Sequence, residues 1–198
     1  YLAKVSQVIE SDEGIIDKFI GDAVMAYWII PPGDTNYEKL VCRTALKHSD
    51  IVKSLKDEYK LKAPELSFDV RIGIHSGEAI MGNIGSTERM DFTIIGDNVN
   101  LASRLESINK QYGSKIIVSE STFSSAQNDF IFRELDNIRV VGKTQPVKIF
   151  ELLTATEQNT ERLSSILSDF KVGFEKYRAG EFSAAAEVFK RLSSDDQV

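Results

Sequence analysis

Hydrophobic positions change their period several times along this chain, and each change marks an element. Residues 2, 5, 8 and 9 are apolar within Tyr1–Ile9, which is amphipathic-helix spacing. No capping residue precedes them, so the sequence reads as entering a helix whose earlier turns lie upstream. Ile15 to Ile20 and Ala23 to Trp28 alternate on either side of Gly21-Asp22, which predicts a tight hairpin with Asp22 at its tip. Pro31-Pro-Gly-Asp-Thr-Asn36 is a loop. Leu40, Ala45, Ile51, Leu55 and Tyr59 then recur at helical spacing until Pro64 closes the unit. Phe68, Val70, Ile72 and Ile74 alternate with Asp69, Arg71 and Gly73, the pattern of a half-buried strand. Ala79-Ile-Met81 is expected as its hairpin partner across Ser76-Gly77-Glu78, followed by a flexible turn at Gly82 and Gly85.

The second half continues with a strand over Phe92–Ile95, a helix over Asn98–Gln111 with Asp97 as its cap, and a strand over Lys115–Val118. A short helix over Glu120–Ala126 and a closing strand pair, Phe130–Val141 with Val147–Leu152, complete the first domain, residues 1–155. This order predicts an α+β fold, a mixed sheet with helices on one face. From about Thr156 the pattern is wholly helical. Gly173, Tyr177, Gly180, Phe182, Ala185 and Phe189 fall where a tetratricopeptide repeat places small and bulky packing residues, so residues 156–198 read as a helical hairpin of that kind.

Composition narrows the function classes. With 198 residues and 42% hydrophobic content the chain can bury one substantial core and a small appendage. A net charge of −6 with scattered basic residues argues against a nucleic-acid partner. The longest apolar run, Ala23–Ile30, stops at Pro31-Pro32, far short of the ~20 residues a membrane-spanning helix needs. Cys42 is the single cysteine and sits in a helical pattern, so it reads as a small buried hydrophobe. A cytoplasmic, reducing, ATP-containing compartment is expected, with membrane attachment through an upstream region left open.

Two motifs carry the chemistry. In Lys18-Phe-Ile-Gly-Asp22 a cation and a carboxylate lie four residues apart across the predicted hairpin tip. Thr93-Ile-Ile-Gly-Asp-Asn-Val-Asn100-Leu-Ala-Ser-Arg104-Leu-Glu runs from a strand through a Gly-Asp corner into a helix. Asn100 and Arg104 there share one face at i and i+4. By themselves these residues also suit a turn aspartate, a β-branched strand residue and solvated helix decoration. With Val70-Arg-Ile-Gly-Ile-His-Ser-Gly77 between them, they resemble the catalytic domain of the class III nucleotidyl cyclases, in its bacterial adenylate cyclase branch, over roughly residues 1–153.

The resemblance implies a ferredoxin-like βαββαβ core with added strands. It also implies conversion of ATP to 3′,5′-cyclic AMP and pyrophosphate with two Mg²⁺ or Mn²⁺ ions per site. Asp22 matches a metal-binding aspartate, and Lys18 matches the residue that selects adenine. Thr93 stands where the usual companion of that lysine is an aspartate, a pattern found in a Lys/Thr subclass. Asn100 and Arg104 match the pair that orients the ribose and stabilises the transition-state phosphate. Lys143 and Arg71 match groups that contact the triphosphate, though a turn lysine and a surface arginine have the same sequence signature. His75 reads as structural. Sites of this family form between two facing domains, so a homodimer is implied. Asp22 and Arg71 would come from one chain, and Lys18, Thr93, Asn100, Arg104 and Lys143 from the other.

One element of the pattern is missing. The family's first metal ligand lies in a Phe-x-Asp-Ile-x-Gly-Phe-Thr stretch, and no such stretch occurs in this sequence. Asp12, Glu13 and Asp17 lie too near Asp22 along the same hairpin to replace a ligand from another strand. Two functions therefore compete: an adenylate cyclase acting in signal transduction, and a catalytically silent cyclase-like domain that dimerises and regulates.

Overall fold

Ile116, Ile117 and Val118 are each 2% exposed or less, and a strand apolar on both faces needs a packing layer on either side. The computed structural model, which describes residues 1–34, 36–60, 69–139 and 146–195, supplies both layers. In chain order the elements of the first unit are α1 (Leu2–Ser11), β1 (Ile15–Ile20), β2 (Ala23–Tyr27), α2 (Asn36–Lys60), β3 (Ile72–Ile74), β4 (Ile80–Gly85), β5 (Met90–Ile95), α3 (Asp97–Tyr112), β6 (Ile116–Ser119), α4 (Glu120–Ala126), β7 (Phe130–Ile138) and β8 (Val147–Ala155). The chain divides into two compact units, Tyr1–Ala155 and Thr156–Val198.

The central sheet is four-stranded in the order β3-β6-β8-β7, with β3 parallel to β6 and the other pairs antiparallel. On one face Ile116, Val118, Phe150 and Leu152 pack with Cys42 and Ala45 of α2 and Ala126 of α4. On the other, Ile117 and Ile149 pack with Leu101 and Leu105 of α3. Helices therefore cover both faces of this sheet, where the element order had suggested one. The run Ile116-Ile117-Val118 supplies the reason, since alternate residues of one strand face opposite ways and all three are apolar. The strand pairs on either side of α2 and β3 form two separate hairpins, β1-β2 and β4-β5, rather than extending the sheet.

Strand pairing departs from the sequence expectation at one place. β3 does not turn back onto Ala79–Met81; Ile72, Gly73 and Ile74 pair with Ile116, Ile117 and Val118, and Ile80 begins a hairpin with β5. Side chains hold the intervening segment extended. The Ser121 hydroxyl donates to the Ser76 carbonyl at 2.7 Å, and Asn98 Nδ2 donates to the Glu78 carbonyl at 2.8 Å. Gly82 and Gly85 lie within β4 rather than in a turn, and the β4-β5 turn is closed by reciprocal backbone bonds between Ser86 and Arg89. Asp97 is the first helical residue of α3 and Gly96 its cap. Asp97 thus complements the helix dipole instead of closing a capping bond.

Two close contacts register these layers. A Cβ on Gly73 would lie 2.3 Å from both the Ala102 oxygen and the Glu106 nitrogen, so β3 meets the α3 backbone directly. Beside it Asn109, fully buried, donates from Nδ2 to the Ile72 carbonyl at 2.9 Å and to the Leu105 carbonyl at 3.0 Å. At the other end Asp12 ties α1 to α2. Its carboxylate accepts from Thr44 Oγ1 at 2.7 Å and from Lys47 Nζ at 2.7 and 2.8 Å, while Trp28 Nε1 donates to its carbonyl at 2.7 Å. Burial alone would raise the Asp12 pKa, but the Lys47 and Thr44 bonds outweigh it and hold it below 3.8. Cys42 is fully buried, and burial pushes its thiol up to about 12.

The second unit is a helical hairpin of α5 (Glu161–Arg178) and α6 (Phe182–Asp195). Thr160 caps α5, its side chain accepting from the Leu163 nitrogen at 3.1 Å. Phe170 packs on Phe189 at a ring separation of 5.4 Å, and Ala185 is buried between the helices. Pro64 and Phe68, invoked in the sequence patterns, lie outside the described residues.

Gly73→Ala is expected to destabilise the first unit by about 1–3 kcal/mol, because backbone atoms rather than flexible side chains occupy the space; urea denaturation checks it. His48 sets a pH dependence. Burial lowers its pKa from 6.5 to about 4, so between those values the unfolded chain binds more protons than the folded one. Stability is then full above pH 6.5 and falls by up to roughly 3 kcal/mol as the pH drops to 4. His48→Gln should flatten this slope in denaturation midpoints measured between pH 7 and pH 4.5.

Candidate active site

The β1-β2 hairpin places three of the residues of interest. Gly21, at φ 64°, takes the left-handed turn conformation that favours glycine, and Asp22 follows it, exposed at the tip. Ile16 pairs with Ala26, and Lys18 with Met25, so Asp17 is an extra residue without a cross-strand partner. This is a β-bulge, a device that re-aims a side chain. Strict alternation would send Asp17 and Lys18 to opposite faces. Instead the Asp17 carboxylate lies 3.2 Å from Lys18 Nζ and accepts from Thr93 Oγ1 on β5 at 2.9 Å. The Asp17 side chain is 1% exposed, and its Oδ1 is buried with no hydrogen-bond partner among the described residues. Thr93 is itself buried. Lys18 and Thr93 thus meet at one carboxylate.

Helix α3 carries the next two. Leu101 and Leu105 point into the core, which leaves Asn100 exposed and Arg104 half-buried a turn apart. The start of this helix is positioned by His75, whose Nε2 lies 3.0 Å from Asn98 Oδ1 and whose Nδ1 lies 2.7 Å from Ser119 Oγ. Both ring nitrogens of His75 are therefore engaged by protein groups, which makes it a structural residue. Arg71, just before β3, is exposed, and its Nε donates to Glu106 Oε1 of α3 at 3.2 Å. Lys143 lies outside the described residues.

The acidic residues near the hairpin have structural engagements. Asp12 joins α1 to α2, Glu13 accepts from the Tyr37 hydroxyl at 3.2 Å, and Asp17 holds Thr93. Among the described residues no group of three or more acidic, histidine or cysteine side chains is placed to hold a metal ion. No helix among them is long and apolar enough to cross a membrane. Two surface depressions, one lined by Lys4, Lys47 and Ile51 and one by His48, Val52 and Lys56, contain none of the candidate site residues Lys18, Asp22, Arg71, Thr93, Asn100 and Arg104.

Sequence reasoning missed the part played by Asp17. Its one signal was a carboxylate beside Lys18 within the otherwise apolar Ile15-Ile16-x-x-Phe19-Ile20. The bulge that turns it towards Thr93 depends on pairing with β2, which residue order does not express.

Residues 3–154 match the adenylate and guanylate cyclase catalytic domain. Adenylate cyclase 1 of Rhizobium meliloti (strain 1021) is 34% identical over 154 residues, covering 77% of this chain and 23% of that protein. The adenylate cyclase of Anabaena cylindrica is 38% identical over 158 residues, covering 77% of this chain and 30% of that protein. The crystal structure of the adenylyl cyclase CyaB from P. aeruginosa superposes with a TM-score of 0.71 at 31% identity, covering 81% of this chain and 82% of that one. The chain belongs to the class III nucleotidyl cyclase catalytic domain family and has its mixed α+β fold. It spans less than a third of the length of these two curated relatives.

His75→Ala is expected to cost about 1–3 kcal/mol by leaving Ser119 and Asn98 without a shared partner. Amide exchange at residues 97–100 should quicken more than exchange in α5. Uniform protection in the variant would show that His75 does not position α3.

Proposed function

We propose, from membership of this cyclase family, that the first unit converts ATP to 3′,5′-cyclic AMP and pyrophosphate as the output module of a signalling protein. The observation that carries this reading is the meeting of Lys18 and Thr93, from two hairpins distant in sequence, at the Asp17 carboxylate. An ammonium is a donor only and suits the acceptor nitrogen of the adenine ring, while a hydroxyl can serve the exocyclic amino group. In the reaction the ribose 3′ oxygen forms a bond to the α-phosphorus. The bond from that phosphorus to the pyrophosphate oxygen breaks, and the hydroxyl proton passes to water. Asn100 orients the ribose, and Arg104 meets the charge on the phosphoryl oxygens with a planar, permanently charged fork. Arg71 and Lys143 hold the terminal phosphates, Arg71 exchanging Glu106 for them.

The site is shared between two copies, Asp22 and Arg71 from one and Lys18, Thr93, Asn100, Arg104 and Lys143 from the other. An isologous pair then has two equivalent sites. Exposed apolar side chains on the two hairpins support a partner there: Phe19 is 50% exposed, Ile20 60%, Ile80 66% and Phe92 59%. The resemblance brings two divalent ions, Mg²⁺ or Mn²⁺, with Asp22 as this chain's carboxylate towards them. The described residues do not by themselves fit such a centre, because the neighbouring carboxylates are committed to Lys47, Tyr37 and Thr93. We read the second unit as a tetratricopeptide-like hairpin.

Cyclic nucleotide production from ATP and GTP by the intact protein tests the reading, with ATP expected as the preferred substrate. Asp22→Ala and Arg104→Ala should each lower kcat by about 10²–10³. Mixing the two inactive proteins should restore about a quarter of wild-type activity, since half the dimers are mixed and each of those keeps one intact site. Full activity in either variant would overturn the assignment. Nucleotide binding without turnover in the wild type would favour the regulatory alternative.

A further inference from the structure

The Asp17–Thr93 contact has a consequence for base selection, one that rests on the adenine reading of Lys18 and Thr93 above. A threonine hydroxyl has one proton and two lone pairs, so in isolation it can accept from the 6-amino group of adenine or donate to the 6-oxo group of guanine. Thr93 is not in isolation. Its proton has two acceptors within reach, Asp17 Oδ2 at 2.9 Å and the Ile94 carbonyl at 3.5 Å. The shorter bond goes to a carboxylate, and charge-assisted bonds are about twice as strong as neutral ones. With the proton so committed, the hydroxyl presents lone pairs alone to anything approaching β5.

We propose that Asp17 is a specificity-determining positioning residue: by taking the Thr93 proton it makes that hydroxyl an obligate acceptor, matched to the 6-amino donor of adenine and mismatched to the 6-oxo acceptor of guanine. Lys18 complements it. The Lys18 ammonium keeps two further N–H donors beyond its contact with Asp17, which suit the unprotonated ring nitrogen of adenine and oppose the protonated one of guanine. Geometry supports the assignment from three sides. Asp17 is the extra residue of a bulge, so β1 departs from regular pairing to deliver this carboxylate. Its side chain is 1% exposed, so water does not compete for the Thr93 proton. Its second oxygen, Oδ1, is buried as well and accepts no hydrogen bond among the described residues, so Thr93 and Lys18 are the donors this carboxylate meets there.

The test compares binding of ATP with binding of inosine triphosphate, whose 6-oxo group replaces the 6-amino group, by calorimetry on the intact protein. Wild type is expected to favour ATP by about tenfold, the worth of one buried hydrogen bond. In Asp17→Ala the freed hydroxyl can donate to the 6-oxo group as well as accept from the 6-amino group, so this preference should fall severalfold and GTP should gain affinity. Asp17→Asn should restore the preference, because its amide oxygen still accepts from Thr93 and Lys18; a purely structural role would predict no such change in the ratio between two nucleotides. In a Thr93→Val background, Asp17→Ala should leave the ratio unchanged, since the two act as a unit. A wild-type protein that binds the two nucleotides equally, or neither, refutes the adenine reading and this inference with it. A wild type that discriminates, with an Asp17→Ala variant that discriminates equally well, overturns the inference while the adenine reading stands.

Discussion

The approach of β3 to α3 at Gly73 governs where the chemistry of this chain can sit. A strand and a helix separated by no side chain must run in one fixed register, because backbone atoms cannot yield as a rotamer can. That register is completed by Asn109, whose buried amide bridges the end of the helix to the Ile72 carbonyl, and by His75, which engages Asn98 at its start. Asn100 and Arg104 lie between these two anchors. Their placement along the helix follows from how α3 is held.

Polar ties of the same kind recur wherever two elements must be aligned. Asp12 gathers Thr44, Lys47 and Trp28 between α1 and α2, and Asp17 gathers Lys18 and Thr93 between the β1-β2 and β4-β5 hairpins. Each is a buried carboxylate that meets charged or hydroxyl donors. Such groups are costly when left unpaired and specify geometry when paired. The two differ in one respect. Asp12 has both oxygens engaged, whereas Asp17 keeps one buried oxygen without a partner among the described residues. The first joins two helices, and the second stands beside the residues proposed to meet the base.

Much of the architecture is legible in the amino-acid sequence. The period of apolar residues located α1, α2, both hairpin strands around Gly21, α3, α4 and the closing pair β7-β8, since burial on one face imposes 3.6- or 2-residue spacing on the sequence itself. What failed was partner choice. A strand such as Ile72–Ile74 has the same alternation whether it pairs with the next strand or with one some forty residues later. The side-chain bonds at Ser76 and Glu78 that keep the chain from turning back come from residues 98 and 121. The assignment of helices to one face failed for a related reason, because Ile116-Ile117-Val118 declares two buried faces without saying which helix covers which.

The candidate site divides along the same line. Residue identity and local spacing determined that a lysine and an aspartate flank a glycine turn, and that an amide and a guanidinium share one helical face; these are short-range relations that the backbone geometry of a turn or a helix enforces. That Lys18 and Thr93 converge on Asp17 was decided by tertiary structure. A bulge arises from the mismatch between two paired strands, and the contact between two hairpins arises from how they pack. Neither exists in a chain read one residue at a time.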